Sequence, residues 1–180
     1  TKRDMGGGTL YDIGVYCIDA ARRFFAAEPE VVLATATPGR SEARAGVEAS
    51  VSATLRFPRG RLASFVVSFG AARVSSYRVV GNAGDVRLDP AYAYADEIVQ
   101  TVTAGGRTRT RRFPKHDQFA AELRAFSDCV ARGTEPESSG REGLAAVRVI
   151  RALYESARTG QPVTLPAASA GPASAGGPAS

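Results

Sequence analysis

Between Val31 and Phe113 the sequence is a series of short runs with strand character, separated by glycine-, proline- or asparagine-containing turns, with no helical pattern between them. Val47, Ala49, Val51, Ala53, Leu55 and Phe57 alternate along one run; Pro58-Arg59-Gly60 supplies a turn, and Leu62 to Phe69 runs back. That pattern predicts a β-hairpin. Val31 to Ala36 reads as a strand ended by Pro38-Gly39, and Val74 to Val80 as another, turned by Gly81-Asn82-Ala83-Gly84 into Asp85 to Leu88. Ile98 to Thr103 and Thr108 to Phe113 flank Gly105-Gly106 as a last hairpin. Strands joined by turns too short to hold a crossover helix pair antiparallel, which argues against a parallel doubly wound sheet.

Helical periodicity appears at both ends of this stretch. Leu10, Ile13, Gly14, Cys17, Ile18, Ala21, Phe24 and Phe25 recur at three- and four-residue spacing, which predicts a helix after the glycine triplet, ending near Glu28-Pro29. Gly14 inside it costs about 1 kcal/mol against alanine, so close packing is expected there. His116 to Arg132 carries Phe119, Leu123, Phe126 and Val130 on one face, with Gly133 as a C-terminal cap. Ser139 and Glu142 form a capping-box signature for a helix reaching Thr159, with a stripe of Leu144, Val147, Ile150, Leu153 and Tyr154. The fold class expected is α+β, an open and mainly antiparallel β-sheet with helices packed on one face.

The 180 residues are 44% hydrophobic, enough for one domain with a real core over residues 1–165. Residues 166–180 contain only Pro, Ala, Ser and Gly and are expected to be a disordered tail. No run of eighteen apolar residues occurs, so no transmembrane helix is expected. The opening Thr1-Lys2-Arg3-Asp4 leads into Met5-Gly6-Gly7-Gly8 rather than an apolar block, so it is no secretory signal, and the chain is expected to begin inside a larger protein. Cys17 and Cys129 lie far apart on apolar stripes and read as free thiols, which fits a reducing compartment, the cytoplasm. One histidine, His116, cannot build a His-rich metal site, and no metal is expected. The net charge of +5 is carried by arginine, Lys2 and Lys115 being the only lysines, and permits a polyanion without requiring one. Arg107, Arg109 and Arg111 alternate along one strand face, but only Phe113 is near to stack a base, so a solvated face or polar subunit interface is expected, with no nucleic-acid partner.

The first helix has a second stripe. Asp12, Tyr16, Asp19 and Arg23 fall at four-, three- and four-residue steps on the side away from the apolar residues. One reading is a solvated face with an Asp19–Arg23 pair. The other is a carboxylate one turn before a phenol at the glycine-rich mouth of a helix; a phenol titrates near pH 10 and needs a neighbouring cation for acid–base work at neutral pH. No lysine is local to it. Gly6-Gly7-Gly8 invites a phosphate-cradle reading, but the dinucleotide fingerprint would need a third glycine where Tyr11 stands. Tyr92 and Tyr94 sit in a break between strands and either line a ligand cleft or pack at an edge.

Gly6-Gly7-Gly8-Thr9-Leu10-Tyr11-Asp12-Ile13-Gly14-Val15-Tyr16, then Glu28-Pro29-Glu30-Val31-Val32, resembles the opening of the C-terminal domain of the glucose–fructose oxidoreductase/inositol dehydrogenase/MocA family. Asp117-Gln118-Phe119, Pro136, Ser139-Gly140-Arg141-Glu142-Gly143-Leu144 and Ser156-Ala157-Arg158-Thr159-Gly160-Gln161-Pro162-Val163 continue the likeness, which spans nearly all of residues 1–165. The resemblance implies the open antiparallel sheet of a glyceraldehyde-3-phosphate-dehydrogenase-like C-terminal domain, beside an N-terminal Rossmann domain absent from this chain. It implies NAD- or NADP-dependent hydride transfer to or from a sugar, polyol or related compound. The cofactor would be held mainly by the Rossmann half, and a homo-oligomer would form through the sheet. By motif match Asp12 falls at the family's substrate-orienting acid and Tyr16 at its proton-transfer residue; Tyr92 and Tyr94, from their place between strands and not from the motif, are taken as further candidate substrate contacts. The family's Glu-Lys-Pro lysine would be the missing cation. Alone, the chain is expected to be inactive; the alternative is a non-catalytic sugar-binding or dimerisation module.

Overall fold

The computed structural model describes residues 6–39, 46–92 and 94–166. In chain order they form a π-helical turn (Leu10–Gly14), α1 (Val15–Phe25), β1 (Val31–Pro38), β2 (Glu48–Phe57), a 3-10 turn (Pro58–Gly60) and β3 (Arg61–Ser68). Then come β4 (Tyr77–Gly81), β5 (Gly84–Leu88), β6 (Ile98–Ala104), β7 (Arg107–Phe113), α2 (Gln118–Arg132), α3 (Gly140–Thr159) and β8 (Val163–Thr164). They divide between two compact units, one within Thr1–Gly70 and Gly140–Ser180, the other within Ala71–Ser139. Of the tail expected over 166–180, all but Pro166 lies outside the described residues.

The first unit is a sheet of order β3-β2-β1-β8, antiparallel throughout, with the helices on one face. The alternation predicted for 47–57 holds from Val51 onward, where Val51, Ala53, Leu55 and Phe57 are buried and Ser52 and Arg56 point to the other side; at its start Val47 and Glu48 are both buried. Val32 and Ala34 of β1 join them in one core with Ile18 and Ala21 of α1 and Val149, Ile150 and Leu153 of α3. The uncovered face carries Leu33, Thr35, Ser52, Arg56, Ser64 and Val66. The second unit holds the sheet β4-β5-β6-β7, also antiparallel. The α+β antiparallel class is therefore present, with the strands shared between two sheets rather than one.

Several local expectations shift for identifiable reasons. α1 ends at Phe25, before Glu28-Pro29, because Ala26 turns left-handed (φ 45°) and the chain closes with Ala27 N–H on the Arg22 carbonyl at 3.3 Å and Ala26 N–H on that of Arg23 at 3.2 Å. Arg61 Nη1 donates to the freed Phe25 carbonyl at 2.7 Å. On α3 the buried side is Ala146, Val149, Ile150, Ala152, Leu153 and Ser156, while Leu144 and Val147 are exposed. The apolar arc of α3 is wider than one stripe, and its small residues face the sheet because α3 lies close along β1. Ser156 ties the two together: its Oγ accepts from Ala34 N–H at 3.0 Å and donates to the Gln161 carbonyl at 2.7 Å. The chain then turns at Gly160, and Val163–Thr164 pairs with the edge of β1 as a short strand with no periodicity to announce it. Arg22, inside the predicted apolar stripe, is buried and meets Glu28 at 2.6 Å and Glu142 at 3.0 Å. Its pKa is raised first by the hydrogen bond to Glu28, against the opposing effect of burial. Glu142 thus serves α1 as well as the start of its own helix.

The start of the first helix is fixed from β2. Glu48 is 4% exposed, and its Oε1 accepts from Leu10 N–H at 3.0 Å, Thr9 Oγ1 at 3.4 Å and Tyr154 Oη at 2.7 Å. One carboxyl group joins the helix mouth, the second strand and α3. A carboxylate against free N–H groups at a helix N-terminus is favoured by both hydrogen bonding and the helix dipole. Gly8 makes room for it: its φ is +122°, and a Cβ there would lie 2.4 Å from Glu48 Oε1. Gly14 is buried likewise, a Cβ there lying 3.0 Å from the Leu10 side chain.

Two stability measurements check this packing. Leu153→Ala, at a fully buried position, should lower unfolding free energy by about 2–5 kcal/mol in a denaturant titration. Leu144→Ala, half exposed, should cost far less, and equal losses would return Leu144 to the core. Gly8→Ala should cost roughly 1–3 kcal/mol from backbone strain, plus displacement of Glu48. Gly6→Ala, where φ is +72° but nothing lies within 4 Å, should cost less, and equal losses would mean that only the turn conformation matters.

Candidate functional site

The helix pinned by Glu48 turns its apolar side to the core: Leu10, Gly14, Ile18 and Ala21 are buried. Its other side carries the polar residues singled out from the sequence. Asp12 is exposed, Tyr16 is 56% exposed, and Asp19 Oδ2 accepts from Arg23 Nε at 2.8 Å. Asp12 lies within the π-helical turn and Tyr16 in the first turn of α1. A π-turn takes an extra residue per turn, so angles counted at 3.6 residues per turn do not carry through from one to the other. The Asp19–Arg23 pair is the solvated i,i+4 bridge its spacing suggests, worth a few tenths of a kcal/mol.

Two clefts are described, and neither is lined by Asp12 or Tyr16. The first, about 450 Å³ in the first unit, has Glu48 at its base and Tyr11, Tyr154, Arg151 and Glu155 among its walls. The Tyr11 and Tyr154 rings are 5.8 Å apart. Glu48 Oε2 is buried with no hydrogen-bond donor, so a water or hydroxyl entering from this cleft would satisfy it. Nothing in the residue order marks Glu48: its partners are 38, 39 and 106 positions away.

The glycine turn above it is not an anion cradle. Leu10 N–H and the Thr9 hydroxyl already donate to Glu48, and the carboxyl group fills the space against Gly8. A phosphate there would set its oxygens against other acceptor oxygens. These residues therefore do not fit the pyrophosphate of a dinucleotide.

The second cleft, about 420 Å³ in the second unit, is lined by Tyr94, Lys115, His116, Asp117, Gln118 and Phe119. It gathers the single histidine and one of the two lysines at the start of α2, where Asp117 Oδ1 accepts from Ala120 N–H at 3.0 Å. Tyr94 meets Phe119 edge-on at 5.8 Å. Tyr92 does not line this cleft. It has a positive φ of 56° and packs on Tyr77 at 5.6 Å, whose phenol pKa is raised by burial. Of the four residues read from the sequence, Asp12 and Tyr16 are each exposed, one in the π-helical turn and one in α1, Tyr94 lines a cleft, and Tyr92 packs on Tyr77. Lys115 and His116 are cleft residues that the sequence reading left without a role. Cys17 and Cys129 are half-buried and carry no disulfide, and no helix among the described residues is long and apolar enough to cross a membrane.

Residues 1–165 match the family model described as "Oxidoreductase family, C-terminal alpha/beta domain". D-xylose 1-dehydrogenase (NADP(+)) 2 from Haloferax volcanii is 33% identical over 164 residues, covering 90% of this chain and 49% of that protein. The crystal structure of an aldose-aldose oxidoreductase from Caulobacter crescentus complexed with glycerol superposes with a TM-score of 0.80 at 38% identity, over 88% of this chain and 48% of that one. A tyrosine-to-phenylalanine variant of a 3-ketoreductase from Actinomadura kijaniata, solved with TDP-benzene and NADP, superposes with a TM-score of 0.72 at 27% identity, over 84% of this chain and 46% of that one. The chain spans about half the length of each of these relatives. On the match over residues 1–165, the chain belongs to the glucose–fructose oxidoreductase/inositol dehydrogenase/MocA family of oxidoreductases, in the region of its C-terminal α/β domain.

Proposed function

We propose that residues 1–165 are the substrate-side half of an NADP- or NAD-dependent oxidoreductase acting on a sugar, polyol or related hydroxy compound. The observation that carries this reading is the Asp12–Tyr16 pair. Both side chains are exposed on a helical segment whose residues Leu10, Gly14, Ile18 and Ala21 are buried and whose first turn is held by Glu48. Polar groups used in catalysis must be held in place by rigid elements behind them, and this helix is held at its mouth and along its core face. In the proposed site Tyr16 exchanges a proton with the substrate hydroxyl oxygen, and Asp12 accepts a hydrogen bond that sets the orientation of that hydroxyl. The relatives support the substrate and cofactor class: one is named for D-xylose and NADP(+), and another was solved with NADP.

The dinucleotide belongs to the other half, since the glycine turn of this chain does not accommodate its phosphates and the strands pair antiparallel. By the resemblance, the lysine that would share this proton transfer lies in that half; the lysines of this chain are Lys2 and Lys115. Oligomerisation through the sheet is part of the same reading: Leu33, Leu62 and Val66 stand exposed on its uncovered face.

The test is kinetic. In the full-length polypeptide Tyr16→Phe should lower turnover with a sugar substrate by about a hundredfold or more, with the melting temperature unchanged. Unchanged turnover removes Tyr16 from the chemistry. Sugar binding with no turnover in the unsubstituted full-length polypeptide would favour the non-catalytic module instead.

A further inference from the structure

Among the described residues only Leu10–Gly14 winds as a π-helix. Such turns are rare and recur at functional sites. This one falls between the two polar residues of the proposed site: Asp12 lies within it, and Tyr16 follows in the first turn of α1. It therefore sets the angle between their side chains. Wound as α-helix, the same segment would carry Asp12 to a different angle about the axis relative to Tyr16. Because a π-turn is rarely adopted, contacts from outside must hold it, and both its ends have them. At the start, Leu10 N–H donates to Glu48 Oε1 at 3.0 Å and the Thr9 hydroxyl to the same oxygen at 3.4 Å, while Tyr154 Oη fixes that oxygen from α3 at 2.7 Å. Glu48 is buried, so its carboxyl group has little freedom to follow a displaced turn. At the other end Gly14 has no side chain, and Leu10 Cδ2 lies 3.0 Å from where a Cβ would stand. The buried Leu10 side chain closes over it. All of these residues belong to the first unit, and the arrangement is complete within it.

We propose that Glu48 and Tyr154 are positioning residues for the proton transfer: by holding the π-turn they set Asp12 and Tyr16 at the angle at which one substrate hydroxyl meets both. The proposal rests on the reading of Asp12 and Tyr16 as the site. Neither Glu48 nor Tyr154 touches substrate in it; each acts through the mouth of the helix. Two of the three donors to Glu48 come from the turn and its N-cap, Leu10 and Thr9, so loss of the carboxyl group is felt there first. A misplacement on the order of 1 Å at a reacting group costs up to about a hundredfold in rate with no substrate contact deleted.

Steady-state kinetics on the full-length polypeptide test this, with the sugar substrate used for Tyr16→Phe and each variant assayed well below its melting temperature. Glu48→Ala should lower kcat about tenfold or more, while KM changes less than about threefold. Glu48→Gln, whose amide oxygen accepts the same three hydrogen bonds, should keep kcat within about threefold of wild type. In a Tyr16→Phe background Glu48→Ala should cost less than about twofold, because its effect passes through Tyr16. A role in stability alone gives equal losses in both backgrounds, or a lower melting temperature with kcat unchanged, and either result overturns the proposal. So does a Glu48→Gln variant as slow as Glu48→Ala. If Glu48→Ala does not fold, Tyr154→Phe, which removes one donor and keeps the ring, takes its place in the cycle with an expected loss of about threefold or more; unchanged kcat there overturns the proposal. Turnover unaffected by Tyr16→Phe sinks the catalytic reading and this proposal with it. Turnover lost on Tyr16→Phe, with the Glu48→Ala loss undiminished in that background, sinks the positioning role alone.

Discussion

A single buried carboxyl group organises the first unit. Glu48 stands at the start of β2 and reaches under the glycine turn to take the Leu10 N–H and the Thr9 hydroxyl, while Tyr154 of α3 donates to the same oxygen. Helix mouth, sheet and closing helix meet at that atom. The glycine triplet, which invites a phosphate, is explained instead by proximity: Gly8 has no Cβ because the carboxyl group occupies the place of one. The anion at this helix N-terminus is the protein's own.

The rest of the unit extends that anchor. β2 continues from Glu48 into the alternating run that fills the core, and α3 returns along β1 to bring Tyr154 to the carboxyl group and Ser156 to the Ala34 N–H. The Ser156 to Val163 segment, carried as a motif, has a mechanical sense: a hydroxyl that bridges helix to strand, a glycine at φ +70° and two residues that close the sheet edge. Arg22 links the end of α1 to the start of α3 through Glu28 and Glu142. A residue placed by pattern among apolar neighbours is thus buried as a charge with its partners supplied.

What the sequence disclosed follows the range of the interactions. The β2–β3 hairpin was legible because a period of two and a Pro-Arg-Gly turn are local, and Ser52 and Arg56 point outward as alternation requires. The choice of stripe on α3 was not, because Leu144 and Ala146 are equally compatible with a 3.6-residue period until the distance to β1 selects the smaller side chain. Glu48 was hidden for the same reason: a glutamate as the first residue of a strand has no local mark of burial. At the candidate site, Asp12 and Tyr16 could be read as a pair facing away from the core. The intervening π-turn could not, nor could the cleft that joins Tyr94 to Lys115 and His116. The stripe of α2 reads from the sequence only as one apolar face; periodicity reports that a face is apolar and is silent on what covers it.

The claim on which these readings converge is that the Glu48-held helix delivers Tyr16 to a substrate whose remaining contacts come from a second half. A crystal structure of the full-length polypeptide with NADP and a bound sugar addresses it directly. The Tyr16 hydroxyl oxygen should lie about 2.6–3.2 Å from a sugar hydroxyl, with Asp12 on the same sugar. A sugar bound away from this helix, with Tyr16 facing bulk water, would contradict the claim.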